Sequence, residues 1–174
     1  MRPPPSFKAR AKAIRLLILD IDGVLTDGRL VYGPTGEAHK VFHVQDGLAI
    51  AGARSAGLAV AVISGRASAA VSRRMTDLGV LEVHQGAKDK RAILKALLRR
   101  QRVEAQETAY MGDDLPDLPL LRSVGLALAP ANAVAEVKRV CHWVGRRPGG
   151  DGAVREAVEA ILKARGAWPP PMVA

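Results

Sequence analysis

Ile14-Arg15-Leu16-Leu17-Ile18-Leu19-Asp20-Ile21-Asp22-Gly23-Val24-Leu25-Thr26-Asp27-Gly28 is the stretch whose reading decides the fold. An apolar run of strand length ends in two carboxylates one residue apart, and extended-chain alternation sends Asp20 and Asp22 out of the strand end on the same side. Two acids directly behind four apolar residues are costly unless donors or a cation meet them. The run therefore reads as a buried strand with a cation-ready mouth, in preference to a turn carrying capping aspartates. An EF-hand is excluded, because Val24 stands where a third oxygen ligand belongs and a strand precedes the loop.

Outward from this strand, apolar runs at 58–64, 81–84, 108–112 and 125–128 alternate with helix-period segments at 47–56, 67–78, 88–101 and 116–123, and a last helix is expected over 153–164. Strands apolar on both faces, alternating with helices, predict an α/β fold with a parallel sheet covered on both sides. Right-handed crossovers then bring every strand's carboxyl end to one edge. One interruption stands out: 29–33 and 39–44 flank Gly33-Pro34-Thr35-Gly36-Glu37, a β-hairpin signal just after the first strand. The expected organisation is a single domain over 14–165, with the hairpin insertion at 29–44 and a glycine-rich segment plus C-terminal helix at 145–165. A flexible, basic and proline-rich tail (1–13) precedes it and a C-terminal tail (166–174) follows.

The 174 residues, 48% of them hydrophobic, suffice for one core of ordinary size without disulfides. Cys141 is the lone cysteine, so no bridge forms within the chain. No apolar stretch reaches membrane-spanning length, and a cytoplasmic protein is expected. The net charge of +9 is concentrated in Lys88, Lys90, Arg91, Lys95, Arg99, Arg100 and Arg102. These share a helical pattern with Ile93, Leu94, Leu97 and Leu98, so most form its solvated face. Aromatic residues make up only 3% of the chain, too few for a base-stacking platform, and no nucleic-acid partner is expected. Attraction of a small anionic substrate accounts better for the charge.

Three further signals fall at strand ends of this topology: Ser64-Gly65-Arg66 after 58–63, Lys90 opening a helix after Gly86, and Gly112-Asp113-Asp114-Leu115-Pro116-Asp117 after 108–111. Open α/β sheets bind ligands there. Singly, Ser64 reads as a helix cap and Lys90 as an ordinary surface lysine; in this order with Asp20 and Asp22, the set resembles the haloacid dehalogenase superfamily of phosphotransferases. The likeness narrows to the capless group containing the 3-deoxy-D-manno-octulosonate 8-phosphate phosphatases, through 20–28, 42–47, Gln85-Gly86, 112–117 and Gly149-Gly150-Asp151-Gly152-Ala153-Val154-Arg155-Glu156. The fold implied is a haloacid dehalogenase-like Rossmannoid three-layer α/β/α sandwich, with a small β-hairpin insertion in place of a cap domain.

The resemblance implies a Mg²⁺-dependent phosphomonoesterase acting on a phosphorylated sugar acid, in lipopolysaccharide biosynthesis. Asp20 is the implied nucleophile and Asp22 the general acid and base. Mg²⁺ is held by Asp20, the Asp22 backbone carbonyl and Asp113, with Asp114 and Asp117 supporting the loop around it. Ser64 and Lys90 meet the phosphoryl oxygens. The segment His43-Val44-Gln45-Asp46-Gly47, with Gly65, Arg66, Arg74 and Lys90, is the implied substrate-binding set, arginines suiting a carboxylate. From periodicity alone Arg74 reads equally as a solvated helix residue. Ala51 stands where close members often carry arginine, a departure that bears on the substrate more than on the chemistry; the resemblance also leaves a nonulosonate 9-phosphate phosphatase and a phenylphosphate carboxylase small subunit as alternatives. The group also implies a homotetramer built on the hairpin, and 149–155 near an active site. His39, His84 and His142 have no zinc-site spacing, Ser64 lies in no Gly-x-Ser-x-Gly elbow, and Cys141 reads as a packed small hydrophobe.

Overall fold

Leu16–Leu19 form β1 in the computed structural model, which describes residues 6–34 and 36–171. Its four side chains are buried and alternate between two cores: Leu17 and Leu19 enter one, Leu16 and Ile18 the other. Such two-sided burial is what a central parallel strand requires. The other strands are β2 (Val31–Gly33), β3 (Gly36–His39), β4 (Ala59–Ile63), β5 (Glu82–His84), β6 (Thr108–Met111), β7 (Leu126–Ala129) and β8 (Trp143–Val144). Six make one parallel sheet in the order β5-β4-β1-β6-β7-β8, while β2 and β3 pair as a separate antiparallel hairpin.

Helices α1 (Phe7–Ala13), α2 (Val44–Ser55), α3 (Ala69–Asp77) and α7 (Ala153–Arg165) supply apolar side chains to the core holding Leu17 and Leu19. Helices α4 (Lys90–Gln101), α5 (Leu118–Leu121) and α6 (Ala135–Val140) cover the opposite face. The three-layer α/β/α sandwich with a hairpin insertion is thus present. Because β1 registers with both β4 and β6, with Leu19 opposite Val62 and Met111, the loops leaving these three strands emerge side by side.

Several expectations need correction. Residues 7–13 are a packed helix, where a flexible tail was expected. Ser6 caps α1 by accepting from the Ala9 N–H at 3.3 Å, Ala11 is fully buried, and Arg10 Nη1 donates to the Gly125 carbonyl at 2.7 Å. Residues 1–5 of that expected tail lie outside the described residues. The expected C-terminal tail also packs as far as it is described: Trp168 lies on the α2/α7 core, with the Arg155 guanidinium 4.8 Å from its ring centroid, and a Cβ on Gly52 would come within 2.6 Å of Pro170 Cγ. The second hairpin strand comes earlier than 39–44 and the turn is tighter, Gly33 pairing directly with Gly36; Thr35 of that turn is outside the described residues. Helix α2 starts at Val44, three residues ahead of expectation, because the His43 ring accepts the Gln45 N–H at 3.3 Å and supplies a cap. Helix α6 and the two-residue β8 were too short to leave a periodic signal.

Candidate active site

Beyond Leu19 the chain keeps its alternation for one more residue, so Asp20 turns to the same side as Leu16 and Ile18. Its N–H donates to the Met111 carbonyl at 3.0 Å, tying it to β6. The Ile21 carbonyl then gathers the N–H groups of Val24, Leu25 and Thr26 at 3.2, 2.9 and 3.0 Å, curling the chain into a tight loop. Gly23 in that loop has φ +85°, and a Cβ there would lie 2.0 Å from Asp113 Oδ2. Only glycine combines that backbone angle with room for the Asp113 carboxylate.

Asp89 caps α4, accepting from the N–H groups of Arg91 and Ala92 at 2.9 and 3.1 Å, and thereby fixes the first helical residue, Lys90. The Lys90 ammonium donates to Asp20 Oδ2 and Asp117 Oδ1, both at 2.7 Å. The Tyr110 hydroxyl donates to that same Asp117 oxygen at 2.6 Å, while Asp117 Oδ2 accepts from the Asp113 and Asp114 N–H groups at 3.0 and 3.3 Å. Both Asp117 oxygens are therefore occupied by donors. Exposed Asp114 accepts from Leu115 N–H at 2.8 Å and caps the 3₁₀ turn Leu115–Asp117. Ser64, buried at the end of β4, accepts from the Arg66 N–H at 3.3 Å, which leaves its own O–H to donate.

Asp20, Asp113 and Asp117 each offer a carboxylate oxygen, and the three oxygens lie within 4.8 Å of one another. Burial, then Asp117, pushes the Asp20 carboxyl up to about 6 despite the opposing pull of Lys90. Burial followed by the charges of Asp117, Asp20 and Asp114 raises Asp113 to about 7. Burial alone would depress the Lys90 ammonium, but Asp20 and Asp117 outweigh it and its pKa is raised, so Lys90 stays charged. One ammonium among three carboxylates leaves a local excess of negative charge, and an all-oxygen donor set suits a hard divalent cation. Asp117 takes two donors on each oxygen, whereas each Asp20 oxygen takes one, Ile21 N–H on Oδ1 and Lys90 on Oδ2, both at 2.7 Å, so Asp20 and Asp113 keep lone pairs for a metal and Asp117 acts as their support. The residues present thus fit Mg²⁺.

These groups line a cleft of about 310 Å³, together with Asp22, Gly28, Gly65, Arg66, Asp114 and Pro116. The Asp22 carboxylate faces this cleft and is paired through Oδ1 with the Lys40 ammonium. Its Oδ2 lies 3.9 Å from Arg66 Nε. Of the sequence-derived substrate set, Gly65, Arg66 and Lys90 line the cleft, whereas His43, Val44, Gln45, Asp46, Gly47 and Arg74 do not in this chain. Asp46 has a structural role in its own chain. It is buried and accepts from the Gly152 and Arg155 N–H groups at 3.3 and 2.7 Å, holding the start of α7. Burial raises its pKa against the pull of those two donors. Arg74 lies over Gly47, where a Cβ would come 2.1 Å from Nη2. Val44 points outward, 79% exposed. The segment around Gly149 reaches this chain's own site loop: a Cβ on Gly149 would sit 1.9 Å from the Gly23 carbonyl oxygen, and Gly150 N–H donates to Val24 at 3.1 Å.

Sequence reasoning missed Tyr110 and Lys40. Tyr110 had a signal: it lies mid-strand on β6, where a buried hydroxyl needs a partner. Lys40 had none, since its place follows from the path of the hairpin.

A family model for haloacid dehalogenase-like hydrolases matches residues 75–156. The chain is 44% identical over 160 residues to the 3-deoxy-D-manno-octulosonate 8-phosphate phosphatase of Haemophilus influenzae, spanning 92% of this chain and 89% of that protein. It superposes on the Moraxella catarrhalis 3-deoxy-D-manno-octulosonate 8-phosphate phosphatase, solved with magnesium ion, phosphate ion and KDO (3-deoxy-D-manno-octulosonate), with a TM-score of 0.90 at 39% identity over 92% of each chain. The cobalt-bound Haemophilus influenzae enzyme aligns with a TM-score of 0.89 at 42% identity, covering 91% of this chain and 92% of that one.

Proposed function

This chain belongs to the 3-deoxy-D-manno-octulosonate 8-phosphate phosphatase family of haloacid dehalogenase-like hydrolases, and from that premise we propose that it releases phosphate from 3-deoxy-D-manno-octulosonate 8-phosphate with Asp20 as nucleophile. Mg²⁺ held by Asp20, the Asp22 backbone carbonyl and Asp113 offsets the repulsion between a phosphate dianion and an attacking carboxylate. An Asp20 oxygen forms the bond to phosphorus as the ester bond breaks, and Asp22 protonates the departing sugar oxygen. Asp22 then takes a proton from the water that opens the aspartyl-phosphate, returning Asp20 and releasing inorganic phosphate. Lys90 and the Ser64 hydroxyl steady the equatorial oxygens, and Arg66 at the cleft wall suits the sugar carboxylate.

The observation that carries this reading is the placement of Asp20, pinned by Lys90 at 2.7 Å beside Asp113 in an open cleft. A phosphate-release screen over eight- and nine-carbon sugar-acid phosphates with Mg²⁺ tests it. Wild type should favour the eight-carbon ester, and Asp20→Asn should fall at least about 10³-fold. Full turnover by that variant sinks the assignment.

We also propose a homotetramer. Tyr32, Val41 and Val44, 62%, 73% and 79% exposed, together with Leu30 and Leu48 put an apolar face along the hairpin and the first turn of α2. A two-stranded hairpin has little stability alone. Assembly would also bring 43–47 and Arg74, which miss their own chain's cleft, toward a neighbour's. Val41→Glu combined with Val44→Glu should yield monomer by sedimentation; an unaltered assembly refutes this face.

A further inference from the structure

Resting on the phosphatase reading above, we propose that Lys40 is the positioning residue of Asp22 and that the β2–β3 hairpin, through it, aims the acid/base group at the leaving oxygen. Lys40 stands just past β3, and its side chain is 2% exposed although it belongs to a hairpin that is otherwise largely solvent-facing. A lysine does not turn inward without a partner for its ammonium. That partner is Asp22 Oδ1.

The second oxygen of the same carboxylate is approached from the other side. Arg66 Nε lies 3.9 Å from Asp22 Oδ2, and Arg66 Nη2 donates to the Tyr32 hydroxyl at 2.9 Å. Lys40 and Tyr32 both belong to the hairpin segment, so the insertion clasps Asp22 directly through Lys40 on one oxygen and, through Tyr32, braces the Arg66 that faces the other. The clasp decides which oxygen does the chemistry. With Oδ1 engaged by Lys40, the proton handed to the departing sugar oxygen travels on Oδ2, the oxygen on the Arg66 side, and the same oxygen collects the proton of the hydrolytic water. A carboxylate released from Lys40 is free to turn about χ2 and to leave that position. A misplacement of about 1 Å at a reacting group costs on the order of 10²-fold in rate.

This role separates experimentally from a general loosening of the fold, because attack by Asp20 on a phosphate ester with a good leaving group needs no acid, whereas opening the aspartyl-phosphate needs Asp22 as base. Lys40→Met keeps the buried stem and removes only the ammonium. In rapid-mixing measurements with p-nitrophenyl phosphate and Mg²⁺, this variant should release a stoichiometric burst of nitrophenolate at within about threefold of the wild-type rate. Its later turnover, and its turnover of 3-deoxy-D-manno-octulosonate 8-phosphate, should fall roughly 30- to 100-fold. Lys40→Arg should recover at least about a third of the lost turnover. If Lys40→Met does not fold, Lys40→Ala carries the same comparison, with a thermal melt alongside each variant. A burst slowed in parallel with turnover, or sugar-phosphate turnover within about threefold of wild type, overturns the proposal and leaves the phosphatase reading intact. A burst that survives in Asp20→Asn overturns both.

Discussion

Removing the charge of Asp20 should stabilise the metal-free protein, increasingly so as pH rises from about 4 to about 7. In the fold, burial and the neighbouring carboxylates hold Asp20 at about 6 and Asp113 at about 7, against an ordinary carboxyl near 3.8. An acid whose pKa is raised by folding binds more protons folded than unfolded between its two pKa values, so stability falls as pH climbs from about 4 to about 7. For Asp20, carried from 3.8 to about 6, this is worth about 2–3 kcal/mol. Half-buried Asp113, screened by solvent, adds about half as much.

Asp20→Asn abolishes the larger share. In EDTA at pH 8 the variant should melt about 5–10 °C above wild type, at about 2–4 °C per kcal/mol for a chain this size. At pH 5 the folded carboxyl is mostly protonated but the unfolded one is already ionised, so about half of that difference should remain, and only below about pH 4 should the two agree within about 2 °C. Effects of the protein's overall positive charge are common to both and cancel in the difference. With Mg²⁺ at about 100 times its dissociation constant, wild type gains about 2.7 kcal/mol and the variant much less, so the gap closes. Differential scanning fluorimetry from about pH 3.5 to pH 8, with EDTA or Mg²⁺, reads the whole pattern. An equal difference at pH 5 and pH 8 in EDTA, or a wild type more stable at pH 8, refutes the reasoning that these carboxylates crowd one another.

Gly23→Ala places a methyl 2.0 Å from Asp113 Oδ2 on a backbone at φ +85°; displacement of that carboxylate should weaken Mg²⁺ binding at least about 10-fold by calorimetry, at a stability cost of about 1–2 kcal/mol. Asp46→Ala strips the acceptor from the Gly152 and Arg155 N–H groups at the start of α7 and should cost about 1–2 kcal/mol, read as a melting temperature lower by about 3–6 °C. Tyr110→Phe deletes a buried donor to Asp117 at 2.6 Å, and should lower stability by about 1 kcal/mol and kcat several-fold with KM little changed, because the hydroxyl steadies Asp117 and touches no substrate.

What was legible in the chain follows from how local each signal is. Leu16–Leu19 ending in Asp20 could be read because strand periodicity and the cost of a buried carboxylate are written within six residues, and the motif order then placed Ser64, Lys90 and Asp113 at one sheet edge. The α1 helix was hidden by its basic residues: seven residues carrying Lys8, Arg10 and Lys12 look like a tail until the helix meets α7, some 150 residues away in sequence. The structural role of Asp46 was hidden for a related reason. In sequence it stands beside His43 and Gly47 in a segment that the resemblance marks as substrate-binding, yet its partners are backbone N–H groups more than 100 residues later.

Lys40 shows the limit most sharply, and also why the hairpin matters to the chemistry. A lysine between His39 and Val41 carries no periodic or motif signal, and its partner Asp22 lies in a motif whose other members answer to the sheet edge. The two meet only because the insertion leaves the sheet directly after the first motif and must return to start α2, which folds its last residues back over the loop it departed from. An insertion at that position is therefore obliged to pass the acid/base group. The same geometry that lets the hairpin offer an apolar face outward lets it hold Asp22 inward, so assembly through Val41 and aim of the carboxylate through Lys40 are neighbouring properties of one short segment.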